Sequence, residues 1–295
     1  MKFGNRYTSA AYLFLTPAMT AIFVFFFVPV LAALLMSFTD FDIYSLGDIN
    51  RARFVGFANY IDLFHNPLFW KALQNTAYFV VVGVPLSILA SMLAAAAINS
   101  KLLRFKSFFR LSFFLPVVTT LVAVAVIWRY IYHTRFGLLN YLLGFAGMSP
   151  KDWLGDPRWA LPALILMAVW KGFGYNMIIF IAGLQNIPET LYEAARLDGA
   201  NGWQEFRNIT LPMLAQTTGF ITITTLIGYC QFFAEPYVMT DGGPLNSTLS
   251  IVLMMYKEGF KFWRMGYSAA IAFILFGIIL IITLIQLRVQ KSHEI

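Results

Sequence analysis

Long apolar runs separated by short polar segments make up most of this chain. A helix that crosses the hydrocarbon core of a bilayer needs about 20 apolar residues, and six runs reach that length. They are Ala10–Met36, Ala72–Ile98, Leu111–Tyr132, Trp159–Gly183, Met213–Phe233 and Met265–Leu287. The pattern therefore predicts an all-α, polytopic integral membrane protein with six transmembrane helices.

Prolines lie inside four of these runs, at positions 17, 29, 85, 116 and 162. Neighbouring helices can satisfy the backbone groups that a proline frees within a membrane, so each run is expected to remain one span. Two shorter apolar runs, Leu138–Gly147 and Leu249–Tyr256, cannot span and are placed at the interface or in outer loops. The whole chain, 1–295, is then a single transmembrane domain.

Composition agrees with this class, since 59% of the 295 residues are hydrophobic and only 12% are charged. The net charge of +7 does not indicate nucleic acid, because lysines and arginines are scattered at the ends of apolar runs. We interpret them as topology determinants. The single cysteine, Cys230, excludes a disulfide framework within the chain.

The basic residues also predict an orientation. Lys2 and Arg6 precede a first run that is too long for a cleaved signal peptide, so this run is expected to stay as an anchor. The loop Lys101–Arg110 carries four basic residues and no acid, which places it in the cytoplasm. By parity, both termini and the polar segment 185–212 lie on the same side.

The segment Gln185–Pro212 carries two helix-start signals. Asn186 can cap a helix whose third position is Glu189, with Pro188 in the first turn, where its missing N–H is not needed. This helix is expected to run to about Asp198.

A second short helix is expected to follow directly. Gly199 can adopt the left-handed conformation that closes a helix. Asn201, with Gln204 three residues later, repeats the capping pattern for a helix through Ile209. That helix should stop before Pro212, because a proline disfavours helical geometry in the residue before it.

Residues in this segment resemble the EAA loop of ABC-importer permeases: Glu193, Ala194 and Ala195, then Gly199, then Ile209, Leu211 and Pro212. The resemblance implies a coupling helix that sits in a cleft of a separate ATPase subunit. It assigns the coupling role to Glu193, Ala194, Ala195, Asp198 and Gly199. The two alanines leave a shallow face that a groove can approach, and Glu193 adds a charge. An ordinary helical hairpin is the alternative.

Two further segments resemble signatures of the carbohydrate permeases related to the maltose and lactose importers, the MalF-like type. The first is FVGFANY at 54–60, followed by Phe69, Trp70, Asn75 and Thr76; the second is DGGP at 241–244, followed by Thr248 and Tyr256. A generic turn would explain the second alone. Together they imply a permease of the type I ABC importer fold in a bacterial inner membrane.

The energy source is expected to lie outside this chain. No G-x-x-x-x-G-K-[ST] phosphate loop is present, and the centres of the spans lack the carboxylates of a proton relay. The resemblance implies that a partner ATPase binds ATP and magnesium. His65, His133 and His293 are scattered, without metal or nucleophile spacing, so the chain is predicted to be non-catalytic and without cofactors. A polytopic membrane enzyme is the alternative.

A sugar path should combine aromatic rings with hydrogen-bonding groups. The fourth and fifth runs offer Trp170, Lys171, Gly172, Tyr175, Asn176, Tyr229, Gln231, Phe232 and Glu235. The resemblance places Gly172, Tyr175, Tyr229 and Phe232 on contact positions, although the family's sugar-bonding asparagines do not recur. These aromatic residues could equally pack on other helices. Lys171 should face a water-filled cavity or pair with Glu235, unless it reaches the interface.

The resemblance to MalF-like permeases implies that this chain is one permease of a heterodimeric pore, carried on two copies of an ATP-binding subunit. An extracytoplasmic solute-binding protein would deliver a carbohydrate or similar polyhydroxylated solute, which moves inward by alternating access. A stand-alone secondary carrier or channel-like protein is the alternative.

Overall fold

A computed structural model describes residues 5–48, 51–100 and 103–291. Lys2, Lys101 and His293 lie outside the described residues, as do the side chains of Arg6 and Lys291. The α-helices are α1 Asn5–Ile22, α2 Val28–Met36, α3 Ala58–His65, α4 Pro67–Asn99, α5 Lys106–Val118, α6 Leu121–Ile131, α7 Leu138–Phe145, α8 Pro157–Gln185, α9 Glu189–Leu197, α10 Gly202–Glu205, α11 Leu211–Met213, α12 Ala215–Cys230, α13 Ala234–Met239, α14 Ile251–Tyr256 and α15 Met265–Lys291.

The six predicted spans correspond to four uninterrupted helical stretches and two bent helix pairs. The uninterrupted stretches are Ala11–Met36, Pro67–Asn99, Pro157–Gln185 and Met265–Gln290. The first includes a π-helical turn at Phe23–Phe27, between α1 and α2. Pro85 and Pro162 lie inside α4 and α8 without ending them. The all-helical membrane fold is therefore confirmed.

The third predicted span is not one helix, which corrects the expectation for Leu111–Tyr132. It consists of α5 and α6, which meet at an angle of 102°. Thr119 and Thr120 between them have extended backbones. Pro116 lacks an N–H, and the β-branched residues that follow it favour extended conformations. The Thr119 hydroxyl donates to the Pro116 carbonyl at 2.6 Å, in place of a helical N–H.

The fifth predicted span, Met213–Phe233, corresponds to a helix shorter than predicted, α12, Ala215–Cys230. The helical stretch before it, 202–213, meets α12 at an angle of 63°. The two short apolar runs form α7 and α14, of 8 and 6 residues, which cannot span.

The chain divides into two compact units, residues 1–66 with 255–276 and residues 67–254 with 277–295. In the second unit, α8 packs against α4 and α5. A row of small buried residues on α4, Gly83, Ser87, Ser91 and Ala95, allows close helix packing. The Ser91 hydroxyl donates to the Phe173 carbonyl of α8 at 3.0 Å. A single-domain organisation stays a prediction.

In the first unit, two residues of the FVGFANY signature hold the end of α2. The Asn59 amide donates to the carbonyls of Ser37 and Thr39 at 2.9 and 2.8 Å. The Tyr60 hydroxyl lies 2.7 Å from the Ser37 hydroxyl. This signature therefore satisfies carbonyl groups at the end of α2 and in the residues just after it.

Candidate functional site: the EAA-like hairpin and the predicted solute path

The first helix of the polar segment starts later than the sequence predicted. α9 begins at Glu189, after Pro188 in its N-cap position. Asn186 does not cap it, which corrects that prediction. Its N–H bonds to the carbonyls of Gly183 and Leu184, because the preceding span continues to Gln185 and holds Asn186 in a helical conformation. An N-cap residue needs an extended backbone.

The turn after α9 has the geometry expected from its glycine. Gly199 has a φ of +83°, in the left-handed region. The Ala200 N–H donates to the Ala195 carbonyl at 2.9 Å, and the Gly199 N–H donates to the Arg196 carbonyl at 3.1 Å. These two bonds form a Schellman motif, which ends the helix at Leu197.

Asn201 and Gln204 form the predicted capping box. The Gln204 N–H donates to Asn201 Oδ1 at 3.0 Å, and the Asn201 N–H donates to Gln204 Oε1 at 2.7 Å. The helix does not stop before Pro212, however, but continues through a π-helical turn at Phe206–Thr210 to Met213. A π turn is wider than an α turn, so the proline ring is accommodated without ending the helix.

Two side-chain contacts join α9 to the second helix, and the sequence reasoning missed both. Arg196 Nε donates to Glu205 Oε1 at 2.9 Å. The Tyr192 hydroxyl lies 2.9 Å from the Thr210 hydroxyl. The hydrogen bond and charge of Glu205 raise the pKa of Arg196, so the guanidinium stays charged. The hairpin is therefore held at two points along its length.

The tip of the hairpin exposes residues of the EAA segment and two large apolar side chains. Glu193, Ala194, Asp198 and Gly199 are exposed, and Ala195 is partly exposed. Leu197 is 90% exposed and Trp203 is 67% exposed. Apolar side chains exposed together on a polar segment are typical of a protein–protein contact.

Three of the predicted solute-path residues lie in helix packing. Asn176 is 5% exposed, and its amide donates to the Thr225 hydroxyl at 2.9 Å. Phe232 is 4% exposed and stacks on Phe79 with centroids 3.9 Å apart. Tyr229 also contacts the Phe79 ring, at 5.3 Å. These side chains therefore pack between helices in this structure.

The other path residues are more accessible. Trp170 and Tyr175 are 41% and 53% exposed, and Gln231 is exposed after the end of α12. A side chain at Gly172 would meet no atom within 4 Å, so this part of α8 borders open space. On α8, exposed aromatic side chains thus lie close in sequence to a glycine that borders open space.

Lys171 is held by backbone carbonyls rather than by an ion pair with Glu235. Its ammonium group donates to the carbonyls of Pro116 and Val117, both at 3.4 Å. The break after α5 leaves these carbonyls without helical donors, and the lysine satisfies them. Glu235 attracts the ammonium group electrostatically without a direct bond. Among the described residues, no cluster of three or more His, Cys, Asp or Glu could hold a metal ion.

Two sequence signatures that lie far apart in the chain meet in the fold. The Asn75 amide donates to the carbonyls of Asn246 and Leu249 at 2.8 and 2.9 Å. The Ile251 N–H donates to the Thr76 hydroxyl at 3.1 Å.

Thr248 closes the loop itself. Its hydroxyl donates to the Gly243 carbonyl at 2.8 Å. This bond, together with the bonds made by Asn75 and Thr76, fixes the loop that carries the Gly-Gly-Pro sequence. Sequence spacing alone contains no signal for this contact.

Comparison with known proteins agrees with this architecture. Residues 83–293 match the family described as "Binding-protein-dependent transport system inner membrane component". The chain is 38% identical to the lactose transport system permease protein LacF of Rhizobium radiobacter, over 98% of this chain and 96% of that protein. It is 35% identical to the arabinooligosaccharides transport system permease protein AraP of Bacillus subtilis, over 97% and 90%.

A solved structure shows the same fold. It is the crystal structure of a bacterial ABC transporter involved in the import of the acidic polysaccharide alginate, and the TM-score is 0.81. The match covers 97% of this chain and 96% of that chain, at 22% sequence identity. At this identity the likeness concerns the fold alone.

Proposed function

This chain belongs to the family of binding-protein-dependent transport system inner membrane components, and from that premise we propose that it is the permease subunit of an ATP-driven sugar importer. The solute is a sugar or a related polyhydroxylated molecule. The names of two relatives, which specify lactose and arabinooligosaccharides, support this solute class. The chain itself is a non-catalytic, multi-pass inner-membrane protein.

The observation that carries the proposal is the hairpin formed by α9 and the helical stretch 202–213. Arg196–Glu205 and Tyr192–Thr210 join these two arms, so a force on the tip of the hairpin reaches the start of the fifth span. Burial of its exposed Leu197 in the groove of a partner would be more favourable than exposure to water. The proposed occupant of the tip is one of two ATP-binding subunits, which bind ATP and magnesium.

The proposed mechanism is alternating access within a heterodimer formed with a second permease. Closure of the ATP-bound subunits moves residues Glu193–Gly199 and the helices attached to them, and the pore opens outward. An extracytoplasmic binding protein then delivers the solute. Hydrolysis resets the inward-facing state. Both termini and the hairpin lie in the cytoplasm in this arrangement.

Within the pore, the accessible face of α8 is the proposed solute contact. Tyr175 supplies a ring for the C–H face of a sugar, and Gly172 leaves the space that the sugar occupies. Lys171, Gln231, Glu235 and Trp170 complete this surface with charged, polar and aromatic groups. Asn176, Tyr229 and Phe232 support it from behind through the contacts described above.

The test is reconstitution of the complex from its native membrane. A tagged chain is solubilised, purified with whatever subunits accompany it, and placed in vesicles with the binding protein. We expect an ATPase and a second permease to copurify, and uptake of a labelled sugar to require ATP. In the same vesicles, Tyr175→Ala should reduce uptake, whereas Tyr141→Ala, an exposed residue on α7, should not.

The result that contradicts the proposal is transport by the purified chain alone. Uphill uptake without ATP or partners would identify a stand-alone carrier. Equal uptake by the two tyrosine variants would remove α8 from the solute path but leave the ATP-driven mechanism intact.

A further inference from the structure

A polar cavity of about 410 Å³ lies in the unit that comprises residues 1–66 and 255–276. This volume falls in the usual range for small-molecule sites, about 300–1,000 Å³. The lining includes Asp40, Phe41, Asn59, Asp62, Arg264 and Tyr267. None of these residues belongs to the coupling hairpin or to the proposed solute path.

The walls of the cavity are fixed by hydrogen bonds. Asn59 is held by the carbonyls at the end of α2, as described above. The Gly266 N–H donates to the Phe41 carbonyl at 2.9 Å. The Asn66 amide donates to the Tyr267 hydroxyl at 3.1 Å. The lining groups are thus preorganised, which reduces the entropy that a ligand must overcome on binding.

The charges around the cavity have both signs. Asp40 and Asp62 contribute carboxylates. Arg264 contributes a guanidinium, which also pairs with Glu258, a residue only 4% exposed. A small anion would be repelled by the two carboxylates. Because Glu258 offsets the charge of Arg264, a cation is the competing ligand. A neutral molecule with several hydroxyls can donate hydrogen bonds to the carboxylates and accept hydrogen bonds from the guanidinium.

Asp62 has its hydrogen-bonding capacity still available. Within the described part of the chain, its carboxylate accepts no hydrogen bond, and its residue is exposed on α3. By contrast, the Asp40 carboxylate already accepts from the Arg53 N–H at 2.6 Å. The rings of Phe41 and Tyr267 add apolar faces of the kind that pack on the C–H groups of sugars.

We propose that this cavity is a second carbohydrate-binding site, which takes a neutral mono- or disaccharide. The inference rests on the proposed function for the solute class and for the topology, in which the segment between the first two spans lies on the outer side. A site there would hold a sugar outside the membrane path, near the region where a binding protein releases it.

The test measures saccharide binding to the purified complex in nanodiscs, without nucleotide and without the binding protein. The probes are glucose, arabinose, lactose, maltose and trehalose, and N-acetyl-lysine amide serves as a cationic comparison. Binding is followed by saturation-transfer difference NMR and by titration calorimetry. The variants are Asp62→Ala and Asp62→Asn, with Asp48→Ala as a matched control on the same outer segment.

We expect at least one saccharide to bind and N-acetyl-lysine amide to bind more weakly. Asp62→Ala should weaken saccharide binding about tenfold, the loss expected for one hydrogen bond to a charged group. Asp62→Asn keeps a hydrogen-bond acceptor, so its saccharide affinity should lie between that of Asp62→Ala and that of the wild type. Asp48→Ala should bind like the wild type.

Three results would overturn the proposal: no saccharide binds, N-acetyl-lysine amide binds better than every sugar, or Asp62→Ala equals Asp48→Ala. Each of these can occur while the complex still transports sugar, so this failure is distinct from failure of the proposed function. Conversely, a complex that transports no sugar but shows the Asp62-dependent binding keeps this site and loses the importer assignment.

Discussion

Single residues set the conformation of the proposed coupling hairpin, residues 189–213, and Gly199 is the clearest case. Its φ of +83° is costly for any residue with a side chain, although a Cβ there would meet no atom within 4 Å. Backbone strain, rather than a clash, therefore makes this position require glycine. The position of the Lys171 side chain, by contrast, depends on another segment, because its ammonium group donates to the carbonyls at the end of α5.

We predict that Gly199→Ala impairs coupling by straining the turn by about 1–2 kcal/mol. Sugar uptake per ATP hydrolysed should fall in reconstituted vesicles, while the yield of complex stays near that of the wild type. Gly202→Ala is the matched control, since a side chain there also meets nothing within 4 Å and its φ is not positive. An equal loss of coupling in both variants would show that the left-handed turn has no special role.

Whole elements are positioned by polar contacts that join distant parts of the chain. The start of α4 holds the loop at 241–250 through Asn75 and Thr76. Asn75 is 5% exposed and serves two carbonyls at once. The loop contains residues with positive φ, including Asp241 and Asn246, so it depends on such external bonds to keep its conformation.

Asn75→Ala should destabilise this loop and the helices around it by about 1–3 kcal/mol, because the carbonyls of Asn246 and Leu249 lose their donor and the second bond is buried. The expected signs are a lower unfolding temperature of the purified complex and faster proteolysis near Leu245, which is 85% exposed. Asn208→Ala changes an exposed residue and should leave both quantities unchanged. Wild-type proteolysis in Asn75→Ala would mean that other contacts suffice to hold the loop.

At the scale of the molecule, the decisive property is orientation in the membrane. The loop before α5 is basic, and the positive-inside rule predicts that it lies in the cytoplasm together with the proposed coupling hairpin. The segment between the first two spans, which contributes Asp62 to the cavity, is then predicted to face outward. The proposed mechanism and the proposed second site both require this arrangement.

Cysteine labelling tests the orientation directly, because the chain has one cysteine, Cys230, which is 4% exposed. In a Cys230→Ser background, Asp48→Cys should react with a membrane-impermeant maleimide in intact cells. Arg104→Cys should react only after the membrane is permeabilised. The reverse pattern would place the hairpin outside and exclude contact with a cytoplasmic ATPase.

The sequence by itself determined the class of fold, the number of apolar segments and the turn of the coupling hairpin. These features depend on local properties: hydrophobic length, the conformational freedom of Gly199, and the capping pair Asn201 and Gln204. They could be predicted because each involves residues that are close in the chain.

The tertiary structure alone decided features that depend on contacts between distant segments. It broke the third span at Thr119–Thr120, where Lys171 satisfies the carbonyls that the break leaves. In it, Asn176 and Phe232 are buried between helices, and Asn75 donates a hydrogen bond to the loop at Asn246. A hydrogen bond between groups far apart in the chain depends on how helices pack, and no local pattern encodes that distance.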